Sequence, residues 1–319
     1  MGDVLGIVLK RLGLGLITLL VISFLIFFAV ELLPGDIAQA VLGQGATEEN
    51  LRALREQMGL DQPAIVRYFS WLLGAIQGDF GASMISGKSV TETIGPRFGA
   101  TLFLASYAAV IAVPVAIILG VIVALFRDTI FDRVANVATL TSISSPEFFL
   151  GYILILYLAV LNPWFPALAN VKAADFGTIE IYHKTFLPAL TMVLVVVAHM
   201  MRMTRASIIN LLASPYIEMA RLKGTPAWKV IVKHALPNAW APIINVVALN
   251  LAYLITGVVL VEVVFVYPGI GQLLVDSVTK RDFPVVQACC LIFAATFILL
   301  NLAADVGAIL TNPRLRHPK

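Results

Sequence analysis

Six stretches of the chain are apolar over about the twenty residues that an α-helix needs to cross a bilayer. They are Leu12–Val30, Thr101–Phe126, Ala135–Leu161, Phe186–Ile209, Pro242–Val266 and Val285–Leu310. The fourth carries His199, Arg202 and Arg205 in its second half. Its lipid-buried part is therefore expected to be Phe186–Met203, the helix then running on into water. Two of the intervening segments are too long to be simple connectors. In the first, Glu31–Arg97, Thr47 can cap a helix whose first turn holds Glu48 and Glu49 and whose stop is Gly59. Leu51, Leu54 and Met58 then share one apolar face. A second helix follows Asp61-Gln62-Pro63 and carries Tyr68, Trp71 and Leu72. The segment reads as a small helical cap outside the membrane.

The other unusual segment, Asn210–Ala241, reads as two short helices joined by a turn. Ser214 and Pro215 supply a cap and a first-turn proline, and Gly224 stops that helix. Thr225 and Pro226 repeat the start signal, and the second helix is expected to run to Pro237. Ala227, Val230, Ile231 and Ala235 fall on one face of it, Lys229 and Lys233 on another at i,i+4 spacing. One face suits the protein's own membrane helices and the other a soluble partner. A helix pair lying beside anionic headgroups has the same pattern.

Composition places the pattern in lipid. Of 319 residues, 60% are hydrophobic and 13% charged, with mean hydropathy +0.93, against roughly 25% charged in a soluble domain. A net charge of +3 gives no ground for a nucleic-acid partner. The basic residues sort by loop: with both termini cytoplasmic, the inner segments hold Lys10, Arg11, Arg127, Arg133, Arg202, Arg205, Arg221, Lys223, Lys229, Lys233, Arg314, Arg316 and Lys319. The outer loop between the third and fourth spans has only Lys172 and Lys184, and the last outer loop only Lys280 and Arg281. The long first loop escapes the rule, so cytoplasmic N- and C-termini are expected. Ala38-Gln39-Ala40 imitates a signal-peptidase site, yet the preceding apolar run exceeds a signal core, which favours an uncleaved signal-anchor. The adjacent Cys289 and Cys290 sit in an apolar run as small packing residues, too close for an unstrained bridge.

No catalytic constellation emerges. His183, His199, His234 and His317 are scattered without a metal-binding spacing. Gly87-Lys88-Ser89 ends like a phosphate-binding loop, but the position that needs glycine is Ala82. Uphill transport by this chain would then draw on a partner or an ion gradient. Intramembrane carboxylates are the mark of the latter. Glu147 falls nearer the inner third of its span by residue count, Glu262 near the outer surface and Asp305 near the inner end. Glu262 is the candidate for the pathway or an outer gate; an interfacial carboxylate is the plain alternative for all three. Pro114, Gly120, Gly151, Pro188 and Gly257 interrupt the spans, allowing bending and close packing. A permease driven from outside, an ion-coupled secondary carrier and a non-transporting membrane scaffold all fit these facts.

Glu218-Met219-Ala220-Arg221-Leu222-Lys223-Gly224, followed by Ile231 and then Leu236-Pro237, resembles the EAA signature of bacterial ABC-importer permeases. Met219 departs from its middle alanine. Leu33-Pro34-Gly35-Asp36, Gly59–Pro63, Gly78-Asp79-Phe80-Gly81, Val264–Leu274, Arg281–Gln287 and Asn312-Pro313-Arg314 resemble the peptide/nickel branch, in its first-permease form. Asn312 stands where that branch has aspartate, and no role is carried onto it. The resemblance spans almost the whole chain. It implies an all-α integral membrane protein of the type I ABC-importer (MetI-like) permease fold. Residues 1–30 would form the N-terminal segment and first membrane helix, 31–97 the extracytoplasmic helical cap, 98–310 the core with its coupling loop at 210–241, and 311–319 a cytoplasmic tail. It implies Glu218, Met219, Ala220, Gly224, Ile231, Leu236 and Pro237 as the ATPase-coupling loop. It also implies a second homologous permease in a heterodimer, two ABC ATPase subunits or domains that hold the ATP and magnesium, and an extracytoplasmic substrate-binding protein. This chain would bind no cofactor of its own. Peptides or similarly small polar solutes would be moved into the cytoplasm across the bacterial inner membrane.

Overall fold

The computed structural model describes residues 2–32, 47–57 and 61–311. The Leu33–Asp36 motif, the Ala38–Ala40 triplet, Met58-Gly59-Leu60 and the tail from Asn312 lie outside these residues, as does the side chain of Leu54. The helices are α1 (Gly2–Glu31), α2 (Glu48–Gln57), α3 (Ala64–Ile76), α4 (Val90–Leu125), α5 (Ile130–Ser144), α6 (Glu147–Ile155), α7 (Glu180–Lys184), α8 (Phe186–Leu212), α9 (Pro215–Leu222), α10 (Ala227–Lys229), α11 (Leu236–Val264), α12 (Ile270–Lys280) and α13 (Phe283–Thr311). Wide π-helical turns follow α6 at Leu156–Leu161 and α10 at Val230–Ala235. Among the described residues the only strand-like pairing is one antiparallel bridge, Ala82 with Ser89.

Among the described residues four helices are long and apolar enough to cross a membrane alone, within α1, α4, α8 and α13, and the number is six if each of two bent pairs is one span. The third predicted span is therefore corrected. It begins earlier, at Ile130, where the Thr129 hydroxyl accepts from the Asp132 N–H at 3.4 Å, and it breaks between α5 and α6 with a bend of 102°. Proline explains the break: Pro146 has no N–H to continue α5, and it forces the preceding Ser145 into extended backbone, ψ 133°. The fifth span is corrected too. The helix expected to stop at Pro237 runs through the π turn into α11, with the bend (58°) at Pro242. Pro237 follows directly on the π turn, whose wider backbone accommodates the missing N–H within the continuing helix. The fourth span matches its expectation, continuing past Arg205 to Leu212 as one helix.

The chain divides into two compact units. The smaller comprises residues 13–101 and 268–296. In it α3 lies along α1: Tyr68 is buried, shares a hydrogen bond of 2.9 Å with the Ser23 hydroxyl, and packs edge-on against Phe24 and Phe27. Arg67 pairs with Glu31 beside it. The second of the two predicted outer helices is thus fixed to the first membrane helix through its aromatic face. The start of α4 (Val90, Ile94) buries itself against α12 and α13 through Ile270, Val285, Ala288 and Cys289. Asp282 holds the preceding loop, accepting from the Ser83 hydroxyl and from the Met84 N–H at 3.1 Å.

The larger unit comprises residues 1–12, 102–267 and 297–319. Here α8 is the central post: most of its length is buried against α5, α6 and α11. Gly120 of α4 makes one close approach possible. A Cβ there would lie 2.7 Å from Cβ and 2.8 Å from Cγ2 of Thr204 in α8, so only glycine lets the helices meet at this depth. Near the same end α5 is tied to α8 by a two-pronged ion pair, Arg205 Nε to Asp132 Oδ1 at 2.8 Å and Nη2 to Oδ2 at 2.7 Å. Asp132, only 4% exposed, also accepts from the Asp128 N–H at 3.1 Å and from Asn136 Nδ2 at 2.7 Å.

Candidate coupling site

The site is the α9–α10 pair that α8 carries at its end. After Leu212 the chain turns at Ser214, whose extended backbone and following Pro215 start α9. Its hydroxyl turns back to the Leu211 carbonyl instead of capping α9, a departure from the expected role. Gly224 ends α9 as expected, at φ +78°. Its N–H donates to the Arg221 carbonyl at 2.9 Å, and the Thr225 N–H reaches the Ala220 carbonyl at 3.2 Å. Those two bonds close a left-handed helix terminus that favours glycine. Pro226, not Thr225, occupies the position that starts α10.

From this geometry the signature residues separate into two groups. Ile217, Val230, Ile231, Ala235, Ala239 and Ile243 form a buried stripe against Ala124 of α4 and Ile208 of α8, with Ala220 and Leu236 partly buried beside it. Ile231 thus anchors the pair to the protein's own helices. Ala227 was expected on that stripe but is exposed. It is the first residue of α10, directly after the Pro226 cap and ahead of the turn that packs through Val230 and Ile231. Glu218, Met219, Gly224 and Pro237 lie on the outside. Beside them are large apolar side chains that the periodicity did not single out: Met219 is 56% exposed, Leu222 76% and Trp228 53%, with Tyr216 and Val232 also exposed. Arg221, Lys223, Lys229 and Lys233 surround them, and Lys229 Nζ stands 5.5 Å from the centre of the Trp228 ring. Tyr216 bridges the two helices by donating to the His234 carbonyl at 3.4 Å. An apolar patch with a charged rim, held rigid from behind, is the build of a protein-docking surface.

The three candidate carboxylates fall in different surroundings. Asp305 pairs with Arg11 at 2.8 Å, joining the two chain ends. Glu262 is fully buried, and its carbonyl accepts from the Tyr267 N–H at 2.8 Å across a turn that puts Val266 at φ 49°. Burial, and then the Glu262 carboxylate, push the Tyr267 phenol well above its ordinary value, so it stays a neutral donor. Glu147 opens α6 and accepts from the Tyr253 hydroxyl. Tyr253 lies in α11, so this contact joins the start of α6 to α11.

Residues 116–317 match the family described as "Binding-protein-dependent transport system inner membrane component". Residues 4–105 match the N-terminal region of the same kind of membrane component. The chain belongs to this family. It is an ABC-importer permease of the peptide class, an all-helical, multi-pass inner-membrane component of a transport system that works with ATPase and binding-protein partners. The permease is 40% identical over 314 residues to the glutathione transport system permease protein GsiC of Escherichia coli K12, covering 98% of this chain and 99% of that one. The same figures hold for GsiC of Salmonella typhi and of Shigella flexneri serotype 5b.

Proposed function

We propose that this permease translocates small peptides or solutes of similar size and polarity, glutathione-like tripeptides among them, by alternating access, and that the α9–α10 pair is where the ATPase acts on it. The observation that carries the coupling role is the division of that pair into a buried stripe and an exposed apolar face. The back of the pair is welded to α4, α8 and α11, so a push on the front is delivered to those helices and not absorbed by a flexible loop. The front is basic apart from Glu218, which favours an acidic-rimmed groove on the partner. The solute class is supported by the sequence identity to GsiC, whose name states a glutathione transport system.

The rest of the machine follows from this reading. A second, homologous permease completes a heterodimer, two ATPase subunits or domains hold the ATP and magnesium, and this chain supplies no ATP site. An extracytoplasmic protein delivers the solute. Both termini and the α9–α10 pair face the cytoplasm, in keeping with the basic residues there. Residues 31–97 form the outer segment, 98–310 the permease core, and 311–319 the tail. Glu262 acts at the outer end as the buried post of the Val264–Gly269 turn, moving with an outer gate rather than lining the path.

The test is purification of the permease in mild detergent with its co-assembling subunits, then ATP-dependent uptake of glutathione and a dipeptide panel into liposomes with the binding protein present. The reading expects ATPase subunits in the preparation and uptake that requires ATP. Absence of an ATPase partner would sink the coupling role, and ATP-driven uptake of none of the peptides would sink the solute class.

A further inference from the structure

The α5–α6 break, Glu147, Tyr253 and Gly257 converge on one place in the larger unit, and that place has the chemistry of a binding site. Glu147 is the first residue of α6 and is partly exposed. Its carboxylate takes the hydroxyl of Tyr253, which is itself 43% exposed. Gly257, one turn further along α11, leaves room for the Tyr253 ring: a Cβ there would stand 3.3 Å from two ring carbons. The phenol is thus seated over its own helix and held toward Glu147. At the end of α5 Ser144 is exposed, while Thr141 and Ser145 turn their hydroxyls back to the Val137 and Thr141 carbonyls and keep their oxygens to accept.

Such an arrangement is not built to face lipid. Irregular backbone within the hydrocarbon region occurs only where protein or a water-filled cavity covers it, and Ser144 and Pro146 are exposed on this chain. A carboxylate within a membrane span carries a desolvation cost that neutral hydrogen bonds only partly offset. Among the described residues Glu147 has the Tyr253 hydroxyl as its partner and no lysine, arginine or histidine within 4.0 Å. What this group lacks is a cation. A primary ammonium fits: three donors on a compact centre, with one bond to the carboxylate, one to the Tyr253 oxygen, and the Tyr253 ring face alongside.

We propose that Glu147 and Tyr253 form a station on the solute path that takes the protonated amino group of the passing peptide. The proposal rests on the reading of the solute as a peptide and adds the atoms that would recognise it. The station is passed through, so one charge-assisted contact suits it better than a closed pocket: binding must be strong enough to enter and weak enough to leave.

Two experiments on the assembled transporter separate this from the reading beneath it. In the first, Glu147→Gln is compared with wild type for ATP-dependent uptake of glutathione and dipeptides, at saturating binding protein and with assembly checked by size-exclusion chromatography. Uptake should fall about tenfold or more, the equilibrium worth of a charge-assisted hydrogen bond, with Glu147→Asp retaining an intermediate rate. Wild-type uptake by Glu147→Gln overturns the station, as does failure of Glu147→Gln to assemble where Glu147→Asp assembles, which would assign the carboxylate to a subunit interface. If wild type moves none of these peptides, the solute class fails, and the second experiment still reads the site. There Tyr253→Cys, in a chain with Cys289→Ala and Cys290→Ala, is reacted with cationic and anionic membrane-impermeant thiosulfonates. The cationic reagent should react about tenfold faster, and adding Glu147→Gln should abolish the preference. No reaction with either reagent, or a preference that survives Glu147→Gln, overturns the station.

Discussion

The Asp132–Arg205 pair offers the clearest energetic test of how α8 is held. Its geometry is two-pronged, at 2.7 and 2.8 Å, with the carboxylate side chain 6% and the guanidinium 22% exposed. Asp132 is further satisfied by the Asp128 N–H and by Asn136, so its charge is fully committed to this site. Removing Arg205 leaves a buried carboxylate with neutral donors only. Breaking a buried pair in this way costs about 3–5 kcal/mol, and the partial exposure of the guanidinium brings the expectation to about 2–3 kcal/mol. Replacing both partners costs less than the worse single change, because no charge is then stranded. Arg205→Met, Asp132→Asn and the double variant should therefore be compared by thermal unfolding of the detergent-purified permease. We expect a clear drop in melting temperature for Arg205→Met and a coupling energy of about 1–3 kcal/mol in the double-mutant cycle. A cycle that closes to within about 0.5 kcal/mol, which is the additivity of independent sites, would refute the reasoning. The consequence for function is rigidity: the ion pair adds a fixed tie between α5 and α8, the helix that bears the α9–α10 pair.

Other outcomes follow from particular contacts. Gly224→Ala meets no atom within 4 Å, so its effect is the backbone cost of φ +78°, about 1–2 kcal/mol, read as weaker retention of the ATPase on an affinity column at unchanged membrane yield. Gly120→Ala drives a Cβ to 2.7 Å from Thr204 and 3.0 Å from the Met201 carbonyl; a loss of about 1–3 kcal/mol is expected, and added Thr204→Ala should recover part of the melting temperature. In the loop before α8, the Lys172 N–H and then Lys184 hold the Asp175 carboxyl below its usual range, while Glu180 and Asp175 raise Lys184. The Asp175 contribution is present above the ordinary carboxylate value near ~4 and is lost as pH falls through the lowered one. The Lys184 contribution is present below ~10.4 and is lost as pH rises through the raised one. Limited proteolysis of this loop should thus stay constant between those limits and increase in acid, and Asp175→Asn should remove the acid step.

Much of this molecule was legible because lipid imposes a simple pattern. Helices must be apolar for about twenty residues, and Phe186–Leu212 could be read almost to its last residue as one helix that runs on past Arg202 and Arg205. Gly224 was equally legible, because a left-handed terminus has few alternatives to glycine. Less was readable where local chemistry chooses between equivalent outcomes. Pro146 breaks its span by 102° whereas Pro242, also within an apolar run, bends its own by 58°; the difference depends on the neighbouring turns, not on proline itself. Ala227, as the first residue of α10, lies ahead of the buried turn at Val230 and Ile231, and Trp228 and Val232 fall outside the stripe. The burial of Asp132 was not legible, because the partner that offsets it lies 73 positions away.

If the ATPase acts through the exposed face of the α9–α10 pair, a charge placed on that face will loosen its hold. Met219 is 56% exposed and lies amid Tyr216, Leu222 and Trp228, away from the buried stripe. Met219→Asp should leave the permease folded, at wild-type yield and melting temperature. The affinity for its ATPase, measured by binding of the purified ATPase to the permease in nanodiscs, should fall about thirtyfold or more, as expected for a hot-spot side chain. Unchanged ATPase binding together with unchanged ATP-driven uptake would contradict the account.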